Sequence, residues 1–131
     1  MAGAADMSEY QLQRYVVDLL RYSARQDVLW FAIPNGEYRF KTTGAKLKAS
    51  GVIAGAADLL IIIKGRAHLL ELKWGKGRLS PEQIAFAAAA EAAGASYAVA
   101  RSPEQARDIL QRWDALRPDS VADVVKHMLS A

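Results

Sequence analysis

Residues Asp58–Lys73 read DLLIIIKGRAHLLELK. Two short apolar runs, Asp58–Ile63 and Ala67–Lys73, flank Lys64-Gly65-Arg66, a pattern that predicts an antiparallel hairpin. The first run is apolar on both faces after its opening residue, so it predicts a central strand covered on both sides. A carboxylate at the head of such a strand is costly to bury unless it is paired or bound to a metal, which singles out Asp58. In the second run side chains alternate, so Glu71 and Lys73 share one face while Leu70 and Leu72 share the other. A two-residue turn at Lys64-Gly65 sets Asp58 opposite Glu71; one at Gly65-Arg66 sets it opposite Lys73. Directly opposed residues point to the same face, so either turn gathers two carboxylates and an ammonium at one sheet end. A three-residue turn would send Asp58 to the other face unless a bulge restored it.

Two carboxylates on one face suit a hard divalent ion such as Mg²⁺, which takes oxygen ligands and keeps several waters. An ion there polarises a phosphate and acidifies a bound water, and the lysine offsets charge building on the phosphate. The competing reading of the three charges is a buried salt-bridge triad that pins the sheet end.

Working outward, Ser8 begins a helix with an apolar stripe at Leu12, Tyr15, Val16, Leu19 and Leu20. Ser8 and Gln11 have capping-box spacing, and the helix is expected to reach about Ala24. Val28–Ile33 (VLWFAI) predicts a strand stopped by Pro34-Asn35-Gly36. Residues 37–57 read mostly as a long loop, with a short helix at Ala45–Ala49; long loops are usually functional or mobile. Ser80-Pro81-Glu82-Gln83 opens an alanine-rich helix that ends at Gly94. Its small side chains are expected to let it lie close against a sheet. Ser96–Ala100 predicts a strand, and Ser102-Pro103 opens a helix running to about Leu116. Val121–Leu129 suggests a last short helix. The expected fold is α/β, an αβββαβ core whose mixed sheet is flanked by helices. The helix after Ser80 serves as the crossover of a parallel pair.

One domain is expected from 131 residues, at 8–116, with a loose tail at 1–7 and a helical tail at 117–131. There is no cysteine, which excludes disulfides, thiolate zinc sites and a cysteine nucleophile. His68 and His127 are too few for a histidine-rich metal site. The longest apolar run, Ile84–Ala90, is far short of the roughly twenty residues of a membrane span. The N-terminus lacks the pattern of a secretory signal, so a soluble cytoplasmic protein is expected. Residues 36–78 hold nine Lys/Arg against three acids, Glu37, Asp58 and Glu71, while the remainder is net acidic. A concentrated positive field favours a polyanion such as nucleic acid; an ordinary solvated basic surface is the alternative.

Pro34-Asn35-Gly36, Lys46-Leu47-Lys48-Ala49-Ser50-Gly51-Val52, Gly55-Ala56-Ala57-Asp58-Leu59, Glu71-Leu72-Lys73 and Gly77-Arg78-Leu79-Ser80-Pro81-Glu82-Gln83, in that order and spacing, resemble the VRR-NUC (virus-type replication-repair nuclease) family of the PD-(D/E)XK superfamily. The resemblance covers about residues 8–113. It departs at Ala57, where the family commonly has proline. It implies a restriction-endonuclease-like fold and a Mg²⁺- or Mn²⁺-dependent endonuclease acting on DNA, leaving 5′-phosphate and 3′-hydroxyl ends. It implies metal ligation by Asp58, Glu71 and the Leu72 carbonyl, with Lys73 assisting the attacking water. The family's matching glutamine is Gln83, whose other reading is a helix cap. Glu9 resembles a first-helix acid facing the metal in related nucleases; in a first turn it also suits the helix dipole. Lys46, Lys48, Lys76 and Arg78 are the expected phosphate contacts. Trp74 and His68 read as packing residues. Stand-alone members of this size resemble phage proteins acting as homodimers on branched DNA such as Holliday junctions. Two other classes remain: a non-catalytic DNA-binding module, and a structural partner subunit.

Overall fold

The computed structural model describes residues 8–34 and 44–118. The expected N-terminal tail, Asn35 and Gly36, the basic residues Arg39 and Lys41, and the helix expected at Val121–Leu129 lie outside the described residues. The elements are α1 (Glu9–Ser23), β1 (Val28–Ala32), α2 (Gly44–Ala49), β2 (Leu59–Ile63), β3 (Arg66–Leu72), α3 (Pro81–Ala92), β4 (Ser96–Ala100) and α4 (Pro103–Arg112). The sheet order is β1-β2-β3-β4. β1 and β3 run antiparallel to β2, and β3 and β4 are parallel, as the crossover through α3 requires. This is the expected mixed α/β sheet flanked by helices.

Local chemistry starts the helices. Ser8 and Gln11 form a reciprocal capping box on α1, and Ser80 and Gln83 form one on α3. Both α3 and α4 end in a Schellman motif. In α3, Gly94 donates to the Glu91 carbonyl and Ala95 to the Ala90 carbonyl; in α4, Asp114 donates to Gln111 and Ala115 to Leu110. Asp114 takes the left-handed conformation there (φ 63°), which aspartate tolerates better than most residues. α4 therefore stops at Arg112 and not near Leu116 as expected. Ala115 and Leu116 leave the helix to become core residues, with Leu116 bridging Ala24.

The main core lies between the sheet and the α1/α4 layer. It joins Leu12, Val16, Leu19 and Leu20 of α1 to Leu59, Ile61, Leu70 and Leu72 of the sheet and to Ile109 and Leu110 of α4. Trp74 packs on it, and buried His68 lies tilted against Trp113 with ring centroids 5.0 Å apart; both are the packing residues expected. The opposite face is thinner. There Ala57, Leu69 and Ala90 form a small cluster with Leu60, Phe86 and Tyr97.

One expectation is corrected on this thinner face. β2 is fully buried only at Leu59, Ile61 and Ile63; Leu60 and Ile62 are half-buried. α3 packs on the sheet along a narrow stripe: Ala90 is its one buried residue, and Ile84 is 57% exposed. A single helix against one sheet buries only the stripe that its 3.6-residue period presents, here Gln83, Phe86 and Ala90. Among the described residues no helix is long and apolar enough to cross a membrane.

The loop before β2 is docked on the start of α3 at Gly55. A Cβ added there would sit 2.4 Å from the Glu82 carbonyl carbon and oxygen and 2.7 Å from the Gln83 nitrogen, at φ +84°. Gly65 shares a positive φ but faces open space. Gly65→Ala should therefore cost only the left-handed penalty, about 1 kcal/mol. Gly55→Ala should cost at least about 3 kcal/mol, because backbone must move as well. Denaturant midpoints of the two variants measure the difference.

Candidate active site

The hairpin turn is Lys64-Gly65, both residues with positive φ, as two-residue hairpin turns favour. It pairs Ile63 with Arg66 and Leu59 with Leu70. That register ends at Leu59–Leu70; just beyond it the Asp58 and Glu71 carboxyls come together, the neighbours expected from a turn at Lys64-Gly65. Asp58 is pinned by its backbone between two strands: its N–H donates to the Leu70 carbonyl (3.1 Å) and its carbonyl accepts from Ile33 (2.8 Å). Its Oδ2 accepts from the Leu72 N–H at 2.7 Å. Glu71 is only 3% exposed. Its Oε2 accepts from Gln83 Nε2 at 3.1 Å, whereas Oε1 is buried with no hydrogen-bond partner among the described residues.

Gln83 is the helix cap expected of it, and it also reaches Glu71. Its Oε1 accepts from the Ser80 N–H at 2.8 Å, closing the α3 cap, and its amide nitrogen serves Glu71. The cap orients the amide, because an oxygen committed to the helix start leaves the nitrogen facing the sheet.

Burial is the main force on both acids. It pushes Glu71 up to about 8, with the neighbouring Asp58 carboxyl pushing the same way. It also raises Asp58, against the opposing hydrogen bond from Leu72. Lys73 pulls both down and Glu9 pushes both up. Lys73 forms no ion pair with either acid among the described residues; the salt bridges run from Arg25 to Asp27 and Asp114. The salt-bridge triad is thus not what the sheet end contains. Two acids side by side in a partly dry pocket, one oxygen unserved, share a proton or bind a cation. Their all-oxygen donor set fits Mg²⁺ or Mn²⁺. No third His, Cys, Asp or Glu among the described residues completes a cluster with them.

The structure thus brings together Asp58, Glu71, Lys73, Gln83 and the Leu72 backbone. Glu9 is exposed in the first turn of α1, within electrostatic reach of both acids. Lys46 and Lys48 are exposed on α2, and Lys76 and Arg78 on the loop between β3 and α3.

Two residues escaped sequence reasoning. Tyr97 on β4 pairs with Leu69, and its buried hydroxyl is pushed up to about 12 by burial, then by Glu71 and Asp58. Arg101 holds the Lys76 loop: its guanidinium donates to the Gly75 and Gly77 carbonyls, and its own carbonyl accepts from Gly75. Neither was legible, because the register of a parallel pair is set by the crossover helix and not by a turn.

Two solved structures resemble the chain over most of its length. One, described as "VRR_NUC domain protein", has a TM-score of 0.67 and 21% identity, covering 86% of this chain and 89% of that one. Another, "VRR_NUC domain", has a TM-score of 0.57 and 20% identity, covering 79% and 94%. No family model and no curated protein matches the sequence.

The raised Glu71 carboxyl has a consequence for stability. The folded protein holds a proton that the unfolded chain, with its carboxyl near 4.5, gives up earlier. Stability of the metal-free protein should therefore be fullest below about pH 4.5 as far as this group is concerned, and fall as pH rises to about 8. Glu71→Gln should remove most of that fall. Denaturant unfolding across this pH range in the presence of a chelator reads both.

Proposed function

Starting from a chain with the fold of the VRR_NUC domains, we propose that it is a Mg²⁺- or Mn²⁺-dependent endonuclease that hydrolyses phosphodiester bonds in DNA. The observation that carries this reading is the Asp58–Glu71 pair, with one buried Glu71 oxygen unserved, at the sheet end that also carries Lys73. Asp58, Glu71 and the Leu72 carbonyl would hold the ion. When bound, the ion supplies a Lewis acid for the scissile phosphate and an acidified water as nucleophile.

The remaining work falls to the chain's own groups. The Leu72 N–H and Gln83 amide fix one oxygen of each acid, so the pair is oriented before anything binds. Lys73, just past β3 with its N–H on the Ala100 carbonyl (3.0 Å), brings an ammonium to the same end. There it orients the attacking water and offsets negative charge on the phosphate. Glu9 adds negative charge from the α1 side and favours a cation in the site. Lys46, Lys48, Lys76 and Arg78 engage backbone phosphates, which position DNA without reading its sequence. We extend the reading to branched DNA such as Holliday junctions, cut by a homodimer in the cytoplasm, on the resemblance to phage stand-alone domains.

Purified protein incubated with Mg²⁺ or Mn²⁺ and labelled linear, flap and four-way DNA tests the reading. Metal-dependent cleavage is expected, strongest on the four-way substrate. Lys73→Ala should fold, keep DNA binding and lose at least about a hundredfold in cleavage. Normal cleavage by the folded variant would remove Lys73 from the chemistry. Binding without cleavage under any metal would instead favour a DNA-binding module.

DNA affinity should also fall steeply with salt. Each phosphate neutralised contributes about −0.9 to the log–log slope on duplex DNA. Charge reversal at Lys46 and Lys48 should flatten the slope by about 2 in total, as fluorescence anisotropy titrations at several salt concentrations would show. A salt-independent affinity would favour a structural partner subunit.

A further inference from the structure

Tyr97 pairs with Leu69 and Glu71 with Val99 across the parallel β3–β4 ladder. Leu69 and Glu71 are two apart on β3, so the tyrosine and the glutamate project from the same face on adjacent strands. That face is the one α3 covers. The phenol ring lies edge-on to Phe86 of α3, with centroids 6.3 Å apart. The hydroxyl is buried and has no hydrogen-bond partner among the described residues, and the same is true of Glu71 Oε1. A buried donor and a buried acceptor, both unserved in one thin layer, are costly to leave apart.

We propose that Tyr97 is a positioning residue of the carboxylate pair: its hydroxyl donates, through one buried water, to the Glu71 oxygen that Gln83 does not hold. The inference rests on the metal-site reading above. A phenol keeps its proton at neutral pH, so toward an ionised Glu71 it acts as a donor only. One water between two such groups is an ordinary structural element of buried polar sites. Gln83 then steadies Glu71 from the helix side and Tyr97 from the neighbouring strand. Together they set the angle at which the carboxylate meets the cation. Tyr97 touches neither DNA nor the reacting atoms.

Tyr97→Phe in the full chain removes the hydroxyl and keeps the ring against Phe86. Two readouts apply. Calorimetric titration with Mn²⁺ alone should show binding weakened about tenfold to a hundredfold, the range for groups that orient a metal's ligands. In metal-free protein at one fixed pH, the ¹³C signal of the Glu71 carboxyl should move while those of Glu82 and Glu91 stay. With DNA and Mn²⁺ the loss should appear in kcat, with KM unchanged. Phe86→Leu is the packing control: it disturbs the ring contact but keeps the hydroxyl, and should lower the melting temperature without weakening Mn²⁺ binding. Unchanged Mn²⁺ affinity in a folded Tyr97→Phe, an unmoved Glu71 signal, or an equal loss of affinity in Phe86→Leu each overturns the proposal. A wild type that binds no Mn²⁺ defeats the metal-site reading itself. That result is distinct from failure of the Tyr97 role alone, in which wild type and Tyr97→Phe bind equally well.

Discussion

The site depends on a two-residue turn. Lys64 and Gly65 both accept the left-handed backbone that such a turn demands, and the β2–β3 register it sets brings the Asp58 and Glu71 carboxyls together. Side chains alternate with a period of two, so a one-residue slip would exchange the faces of one strand relative to the other. Asp58 would then point into the α1/α4 core while Glu71 stayed under α3, and no shared site would exist. The apolar pattern enforces the same register. Leu59, Ile61 and Leu70 all enter the main core, so a slip would also strand these side chains on the thinner face.

The hairpin and the helix starts were legible because they rest on local chemistry. Asp58, Glu71 and Lys73 converge as the alternation of one short stretch predicts, and the S-P-E-Q sequences begin helices where a serine oxygen and a glutamine serve the first-turn N–H groups. Even so, the two starts differ in use. Gln83 bonds the amide of its own cap residue, whereas Gln105 reaches back one residue further to Arg101. The end of α4 was misread because an aspartate does there what a glycine does at the end of α3. The left-handed turn at Asp114 accompanies burial of Ala115 and Leu116, a tertiary fact. The exposure of α3 was not legible, because an all-round apolar composition says nothing of how many layers are present to cover it.

Gln83 shows how the helix cap and the carboxylate pair share one side chain. The amide oxygen completes the α3 start and the amide nitrogen steadies Glu71, so the position of α3 on the sheet and the orientation of the buried acid are a single geometric variable. The close approach of Gly55 to the Glu82–Gln83 backbone ties the strand bearing Asp58 to that variable. The two acids, from different strands, are therefore referenced to one helix terminus. A rotation of α3 would disturb both.

The Lys76 loop hangs from Arg101 by its backbone, through the carbonyls of Gly75 and Gly77 and the Gly75 N–H. The guanidinium contacts backbone atoms that every residue type possesses and makes no demand on side chains between Gly75 and Arg78. Substitution along this loop can thus proceed without altering its anchorage. The carboxylates on the neighbouring strand owe nothing to its composition. Such a separation leaves the basic loop open to evolutionary drift, through which related chains could acquire different nucleic-acid preferences while inheriting one unaltered chemical centre.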